Sequence, residues 1–167
     1  SKRYAFEAGA RVVQAHYKRV GIDAEVSMGE VNGIYRTKYN LKETPLVSII
    51  IPNKDHAADL DKCIQAIENN SEEQATFDYY EKLKQNNKKV KVVVWEKEFN
   101  YSAINNFGVK FASGEYLLFL NNDTEIINPD CVEELLGHCM RDDVGIVGAR
   151  LYYEDDTIQH AGVIIGL

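Results

Sequence analysis

Asn121, Asn122 and Asp123, followed by Thr124 and Glu125, are the residues best placed to do chemistry, because they come directly after the apolar run Tyr116-Leu117-Leu118-Phe119-Leu120. A run of that length reads as a buried strand, which delivers two amides and a carboxylate to its carboxyl end. Oxygen donors there suit a hard divalent cation, Mg²⁺ or Mn²⁺, which takes one or two carboxylates and completes its shell with water and phosphate oxygens. An Asx-type turn into the next helix would use the same residues. A second group, Pro52-Asn53-Lys54-Asp55-His56, follows the apolar run Leu46 to Ile51. Asp55 can cap the helix that comes next, and the loop is also well placed for a nucleotide base. A third region, Phe99 to Gly108, carries Asn100, Asn105 and Asn106 beside a core stripe of Ile104, Phe107 and Phe111. Its amides can hold backbone or reach a ligand. His160, inside the apolar Ile158 to Val163, reads more simply as a hydrogen-bonded core residue than as a ligand.

These groups need elements to hold them. Residues 3–20 place Phe6, Ala10, Val13 and Tyr17 at helical spacing, and Gly21 is a stop. Residues 22–44 give short extended pieces around an Asn32-Gly33 turn. Residues 1–44 are therefore expected to be an N-terminal helix and extended linker element, ahead of a main domain at 45–167. That domain opens with the strand 46–51, ended by Pro52. A helix over 57–67 follows, with Leu60, Cys63, Ile64 and Ile67 on one face. Ser71 with Gln74 reads as a capping box for a second helix, 72–87. Then come a strand (Val90 to Trp95), a helix (about Ser102 to Ala112), the strand 116–120, and a helix capped by Asn128 with Pro129 at its first position. Strands near 144–149 and 158–165 close the chain. Alternation of this kind means an α/β domain with a mostly parallel sheet flanked by helices, in which ligands sit beyond the carboxyl ends of the strands. The helices 57–67 and 72–87 stand back to back where a βαβ unit would have a strand, so a segment just before Glu68 is expected to be absent.

Bulk properties narrow the function. With 45% hydrophobic and 27% charged residues, the 167-residue chain is globular in composition. A net charge of −7 argues against broad nucleic-acid binding. Neither G-x-G-x-x-G nor G-x-x-x-x-G-K-[ST] occurs, which disfavours a dinucleotide fold and removes a P-loop. The three cysteines include no C-x-x-C pair and are expected to be reduced core residues in a cytoplasmic protein. No apolar run approaches the roughly 18 residues of a membrane span, and no signal peptide is visible.

Several motifs in order resemble family 2 glycosyltransferases over about residues 46–167. Val47-Ser48-Ile49-Ile50-Ile51-Pro52-Asn53-Lys54-Asp55 resembles that family's opening strand and loop. Asn106-Phe107-Gly108 through Ala112-Ser113-Gly114-Glu115-Tyr116 is similar to its N-x-G…A-x-G-E-Y segment. Asn121-Asn122-Asp123 stands where the family places its D-x-D, and Phe99-Asn100-Tyr101-Ser102 is similar to the rhamnosyltransferase-like branch. The resemblance implies a GT-A fold, truncated at the C-terminal side. It implies a hexosyltransferase-like, inverting enzyme of bacterial polysaccharide or cell-surface glycan synthesis. Its partners would be a nucleoside-diphosphate sugar of the UDP or dTDP type and a glycan or lipid-linked acceptor, and missing sequence could bring it to the inner membrane face. Asp123 would contact Mn²⁺ or Mg²⁺. Pro52, Asn53 and Asp55 would line the base and ribose, Glu68 would stand for the family's acidic D-N-x-S element, and Asn106, Asn121 and Asn122 complete the nucleotide-binding set. Asn121 takes the place of the first carboxylate but is neutral. The catalytic base is expected beyond Leu167. The alternative is a non-catalytic nucleotide-binding or assembly module of a larger protein. A sugar-nucleotidyltransferase would need a Gly- and Arg-rich loop where Pro52-Asn53-Lys54-Asp55 stands.

Overall fold

The computed structural model describes residues 3–54, 57–68, 90–128 and 130–162, with only the backbone of 65–68. In chain order they form α1 (Arg3–Val20), β1 (Ala24–Met28), β2 (Tyr35–Tyr39), β3 (Val47–Ile50), α2 (Ala57–Glu68), α3 (Tyr101–Val109), β4 (Tyr116–Phe119), α4 (Cys131–Cys139), β5 (Leu151–Tyr152) and β6 (Ile158–His160). The chain divides into two units, Ser1–Glu43 with Asp130–Leu167, and Thr44–Pro129.

In the first unit α1 ends where Gly21 takes φ +75°, a left-handed conformation that favours glycine. Gln14 of α1 then clamps the edge of β1. Its Nε2 donates to the Ala24 carbonyl at 2.7 Å and its Oε1 accepts from the Val26 amide at 2.9 Å, so a side-chain amide stands in for a neighbouring strand. β1 and β2 pair antiparallel, with Ala24 opposite Tyr39 and Met28 opposite Tyr35. Gly33, at φ +90°, serves the reversal between them. α4 lies against β2 at Gly137, where a Cβ would come 3.0 Å from the Tyr39 carbonyl oxygen. Asp130, at the N-cap of α4, accepts from Lys38 Nζ at 3.0 Å and Arg36 Nη2 at 3.3 Å. The Lys38 hydrogen bond is the chief reason that its carboxyl is held below the usual carboxylate range.

The second unit positions the strand-end residues. β3 and β4 are parallel, from Val47 opposite Tyr116 to Ile50 opposite Phe119, and the Leu120 amide extends the ladder to the Ile50 carbonyl at 3.1 Å. Parallel pairing sends both carboxyl ends to the same edge. α2 packs through Leu60 and Cys63, both buried. Two glycines, one in α3 and one in the turn before β4, are there for close approach. A Cβ at Gly108 would lie 2.8 Å from Ile50 Cγ2, so the missing side chain lets α3 rest on β3. At Gly114 a Cβ would lie 2.6 Å from both the Leu46 carbonyl oxygen and the Ser48 amide nitrogen. Ser48 Oγ accepts from the Gly114 amide at 2.8 Å and from the Ser113 amide at 3.3 Å, which ties the turn to β3.

The structure departs from the sequence expectations at five places. β4, expected as a buried strand, has Leu117 and Phe119 exposed, and Phe111 of the expected core stripe is exposed too, since no further layer among the described residues covers that face. Residues 90–95 form no strand: they have no ladder among the described residues, and strand geometry is held only by a bonded neighbour. The cap of α4 is Asp130 and not Asn128, because the helix begins two residues later, at Cys131. Residues 144–149 are irregular; the Val144 amide turns back to the Arg141 carbonyl at 3.0 Å, and Gly145 and Gly148 weaken any strand there. His160 is exposed on β6, not a core residue, because β5 and β6 form a two-stranded antiparallel hairpin whose residues are all exposed. The parallel ladder of the described residues is accordingly confined to β3 and β4. The second helix expected at 72–87, with its Ser71–Gln74 box, and residues 163–165 of the last expected strand lie outside the described residues. No helix among the described residues is long and apolar enough to cross a membrane.

Candidate functional site

Three elements converge on the carboxyl edge of β3 and β4. From β4 come Asn121, Asn122 and Asp123; from β3 come Pro52 and Asn53; and α3, running back along the sheet, presents its first residue, Tyr101. The two strand ends are joined directly, since Asn122 Nδ2 donates to Asn53 Oδ1 at 2.7 Å. The Tyr101 hydroxyl donates to Asn121 Oδ1 at 3.3 Å. The Asn121 carbonyl oxygen accepts from the Thr124 amide at 3.2 Å and from Cys63 Sγ at 3.5 Å, so the turn at 121–124 is pinned to α2. The residues do turn, but through the main-chain carbonyl of Asn121 and not through an Asx side-chain bond, since the Asn121 side-chain oxygen is engaged by Tyr101; the turn leaves Asp123 exposed to solvent.

α3 is held by its own cap. Asn100 sits in extended geometry and its Oδ1 accepts from the Ala103 amide at 2.9 Å. Asn100→Ala is expected to lower stability by about 1 kcal/mol, the usual value of such a cap, read as a shifted midpoint in urea. Asn105 is buried and donates through Nδ2 to the Tyr101 carbonyl at 2.9 Å, while its Oδ1 is a buried oxygen without a partner among the described residues. Asn100 and Asn105 therefore hold backbone, and Asn106 faces solvent.

Burial pushes the Cys63 thiol up to about 11, with the Asp123 carboxylate adding to the effect. The thiol is thus the neutral donor that its bond to Asn121 requires. Because its folded value lies above the free thiol's, this preference favours the folded state below the unfolded value and is lost as pH rises towards 11. Iodoacetamide at about pH 8 is expected to leave Cys63 unmodified in the folded protein and to label it in urea; labelling at the rate of a free thiol would contradict this.

Of the nucleotide residues expected from sequence, the structure brings Pro52, Asn53, Asn121 and Asn122 to one edge, with Asp123 beside them. Asp55 and the side chain of Glu68 lie outside the described residues; the backbone of Glu68 closes α2. Sequence reasoning missed Tyr101 and Cys63 as partners of Asn121. Tyr101 stands inside Phe99-Asn100-Tyr101-Ser102, and an aromatic hydroxyl directly after an N-cap asparagine was the signal for it.

The fit of a metal can be judged from the donor set. Among the described residues no three His, Cys, Asp or Glu side chains come together. Asp123 offers one exposed carboxylate, and Asn121 has its only ligating side-chain oxygen engaged by Tyr101. That set fits Mg²⁺ or Mn²⁺ arriving with diphosphate oxygens and waters, not an ion held by protein alone.

No solved structure matches the chain. Two curated relatives are 38% identical to it. One is "Uncharacterized protein y4gI" of Sinorhizobium fredii, aligned over 182 residues that take in 100% of this chain and 20% of the relative. The other is "O-antigen biosynthesis protein RfbC" of Myxococcus xanthus, aligned over 178 residues, 98% of this chain and 14% of the relative. The chain thus spans a fifth or less of the length of either protein. The family description "Glycosyl transferase family 2" matches residues 48–162, which include both strand ends and the Asn121-Asn122-Asp123 turn. The chain belongs to glycosyl transferase family 2, and its α/β architecture is that family's GT-A fold.

Proposed function

We propose that this chain carries the donor-binding part of a glycosyltransferase that moves a sugar from a nucleoside diphosphate, of the UDP or dTDP type, to a hydroxyl of a glycan or lipid-linked acceptor. The observation that carries the proposal is the joined edge of β3 and β4. Asn53 and Asn122 are hydrogen-bonded across it and Asp123 stands exposed beside them. Residues 45–167 form this part and residues 1–44 an element that precedes it. The O-antigen biosynthesis relative supports a place in bacterial polysaccharide synthesis. The free cysteines Cys63, Cys131 and Cys139 suit the reducing cytoplasm. Alignments of 182 and 178 positions, longer than this chain's 167 residues, include positions of the relatives with no counterpart here; this reading puts such a segment just before Glu68, where a βαβ unit lacks its strand.

The residues would act as follows. Pro52 and Asn53, with Asp55, line the base and ribose; Asn122 extends the polar edge, Asn106 reaches the nucleotide from α3, Glu68 adds an acid to the base or ribose, and Asp123 holds the cation. Neutralising charge on a departing diphosphate is what a divalent cation supplies when bound. In the inverting displacement, the acceptor oxygen bonds to the anomeric carbon as the bond to the diphosphate breaks. The diphosphate leaves with the electron pair, and a carboxylate base takes the acceptor proton. No residue of 1–167 is assigned that base.

A thermal-shift panel of UDP, dTDP, GDP and CMP, each with and without Mn²⁺, tests the reading. A ligand at about 100 times its Kd stabilises the folded state by about 2.7 kcal/mol, worth several degrees in a chain of this size. A shift for one nucleoside diphosphate that needs Mn²⁺ is expected. No shift with any nucleotide would favour an assembly module instead. The chain alone is expected to bind donor without transferring sugar at ordinary enzyme rates; turnover at such rates would place the base within these residues.

A further inference from the structure

We propose that Tyr101 is a positioning residue for the donor. By donating its hydroxyl to Asn121 Oδ1 it turns the Asn121 amide so that the NH₂ group faces the ligand. Asn121 is then a hydrogen-bond donor to a ribose or phosphate oxygen, and not a metal ligand. The proposal rests on the donor-binding reading above and deepens it.

The argument begins with what an amide can do. Asparagine has one oxygen that can ligate a hard cation and one NH₂ that can only donate. In Asn121 that oxygen is taken by Tyr101 at 3.3 Å. The residue cannot escape by moving its backbone, since its carbonyl is held by both the Thr124 amide and Cys63 Sγ. Only rotation of the side-chain amide is left, and in the structure the Tyr101 hydroxyl holds that amide by its oxygen. Tyr101 itself comes from a fixed place: it opens α3 next to the Asn100 cap, its carbonyl accepts from Asn105, and the helix lies on β3 through Gly108. A site built on a braced element holds geometry better than a free loop does. A carboxylate at position 121 would keep a second oxygen for metal even with Tyr101 bonded to the first. The amide has no second oxygen: it keeps one lone pair on the neutral oxygen that Tyr101 already holds, a poorer ligand for a hard cation than a carboxylate. Asp123 is therefore left as the cation's carboxylate, while Asn121 serves the electron-rich oxygens of the nucleotide.

Titration calorimetry of UDP and dTDP, each with Mn²⁺, on wild type, Tyr101→Phe, Asn121→Ala, the double variant and Asn121→Asp tests this. Tyr101 is half exposed, so its phenylalanine variant is expected to melt as wild type does. Its affinity should fall about 3- to 10-fold, the range of one hydrogen bond. The double variant should bind no more weakly than Asn121→Ala, because Tyr101 acts through Asn121. Asn121→Asp should bind with a lower Mn²⁺ requirement, having gained a ligating oxygen. Losses that multiply in the double variant, or an unchanged affinity in Tyr101→Phe, would overturn the proposal. Should Tyr101→Phe melt early, the titrations are repeated at a temperature where every variant is folded: loss of affinity absent from the Asn121→Ala background supports the assignment, and independent losses overturn it. Wild type that binds neither nucleotide removes the donor-site reading and this proposal with it, an outcome distinct from binding with independent losses.

Discussion

Asp123→Ala is expected to weaken Mn²⁺-dependent binding of UDP or dTDP on the order of 100-fold, the several kcal/mol that a carboxylate–metal–phosphate contact supplies. The ligand-free protein should melt unchanged. The asymmetry follows from the geometry. Asp123 is exposed on the turn after β4. The bonds that hold that turn are backbone and neighbouring contacts, Asn121 to Thr124 and Cys63, and Asn122 to Asn53. Removing the carboxylate therefore takes a charge from the ligand without taking a brace from the fold. Asp123→Asn should behave as Asp123→Ala does in Mn²⁺ dependence, because an amide of the same shape lacks the charge. A similar loss with and without Mn²⁺ would instead mean that the residue shapes the pocket.

The second large effect concerns stability. Gly114→Ala is expected to destabilise the protein by about 1–3 kcal/mol, the ordinary cost of overpacking, and to lower the melting temperature by on the order of 5 °C. The reason is what the new methyl meets. It would lie 2.6 Å from the Leu46 carbonyl oxygen and from the Ser48 amide nitrogen, both backbone atoms of the segment entering and forming β3, which cannot rotate aside. Moving the turn away would lengthen the hydrogen bonds from the Ser113 and Gly114 amides to Ser48 Oγ. Gly145→Ala is the control, since a Cβ there meets nothing within 4 Å and the residue is exposed. Scanning calorimetry of the two variants checks the difference; equal melting temperatures would show that β3 yields to the methyl.

Local signals were legible in the sequence where chain chemistry decides them. The stripe at Phe6, Ala10, Val13 and Tyr17 with Gly21 after it marked α1, and the Asn32-Gly33 turn marked the hairpin β1–β2. The apolar runs at 46–51 and 116–120 gave the parallel pair that carries the candidate site. What could not be read depends on partners distant in sequence. Residues 90–95 have the composition of a strand, yet a strand exists only with a neighbour to bond. His160 was placed in a core on its apolar neighbours, and no sequence pattern says whether another layer covers a hairpin. The family's Gly108 and Gly114 were visible as motif letters, but their reason, the approach of α3 and of the turn to β3, required coordinates. The amide sense of Asn121 was equally hidden, because Tyr101 is 20 residues away.

The central claim is that a nucleoside diphosphate and its cation sit at the carboxyl ends of β3 and β4. Paramagnetic broadening tests it most directly: Mn²⁺ is titrated into isotope-labelled protein with and without UDP or dTDP, and amide signals are followed by NMR. Selective loss of the signals of residues 121–124 and Asn53, only with nucleotide and Mn²⁺ together, is the predicted result. Broadening confined to other acidic positions, such as Glu133 and Glu134 or Asp142 and Asp143, or broadening indifferent to nucleotide, would contradict the account.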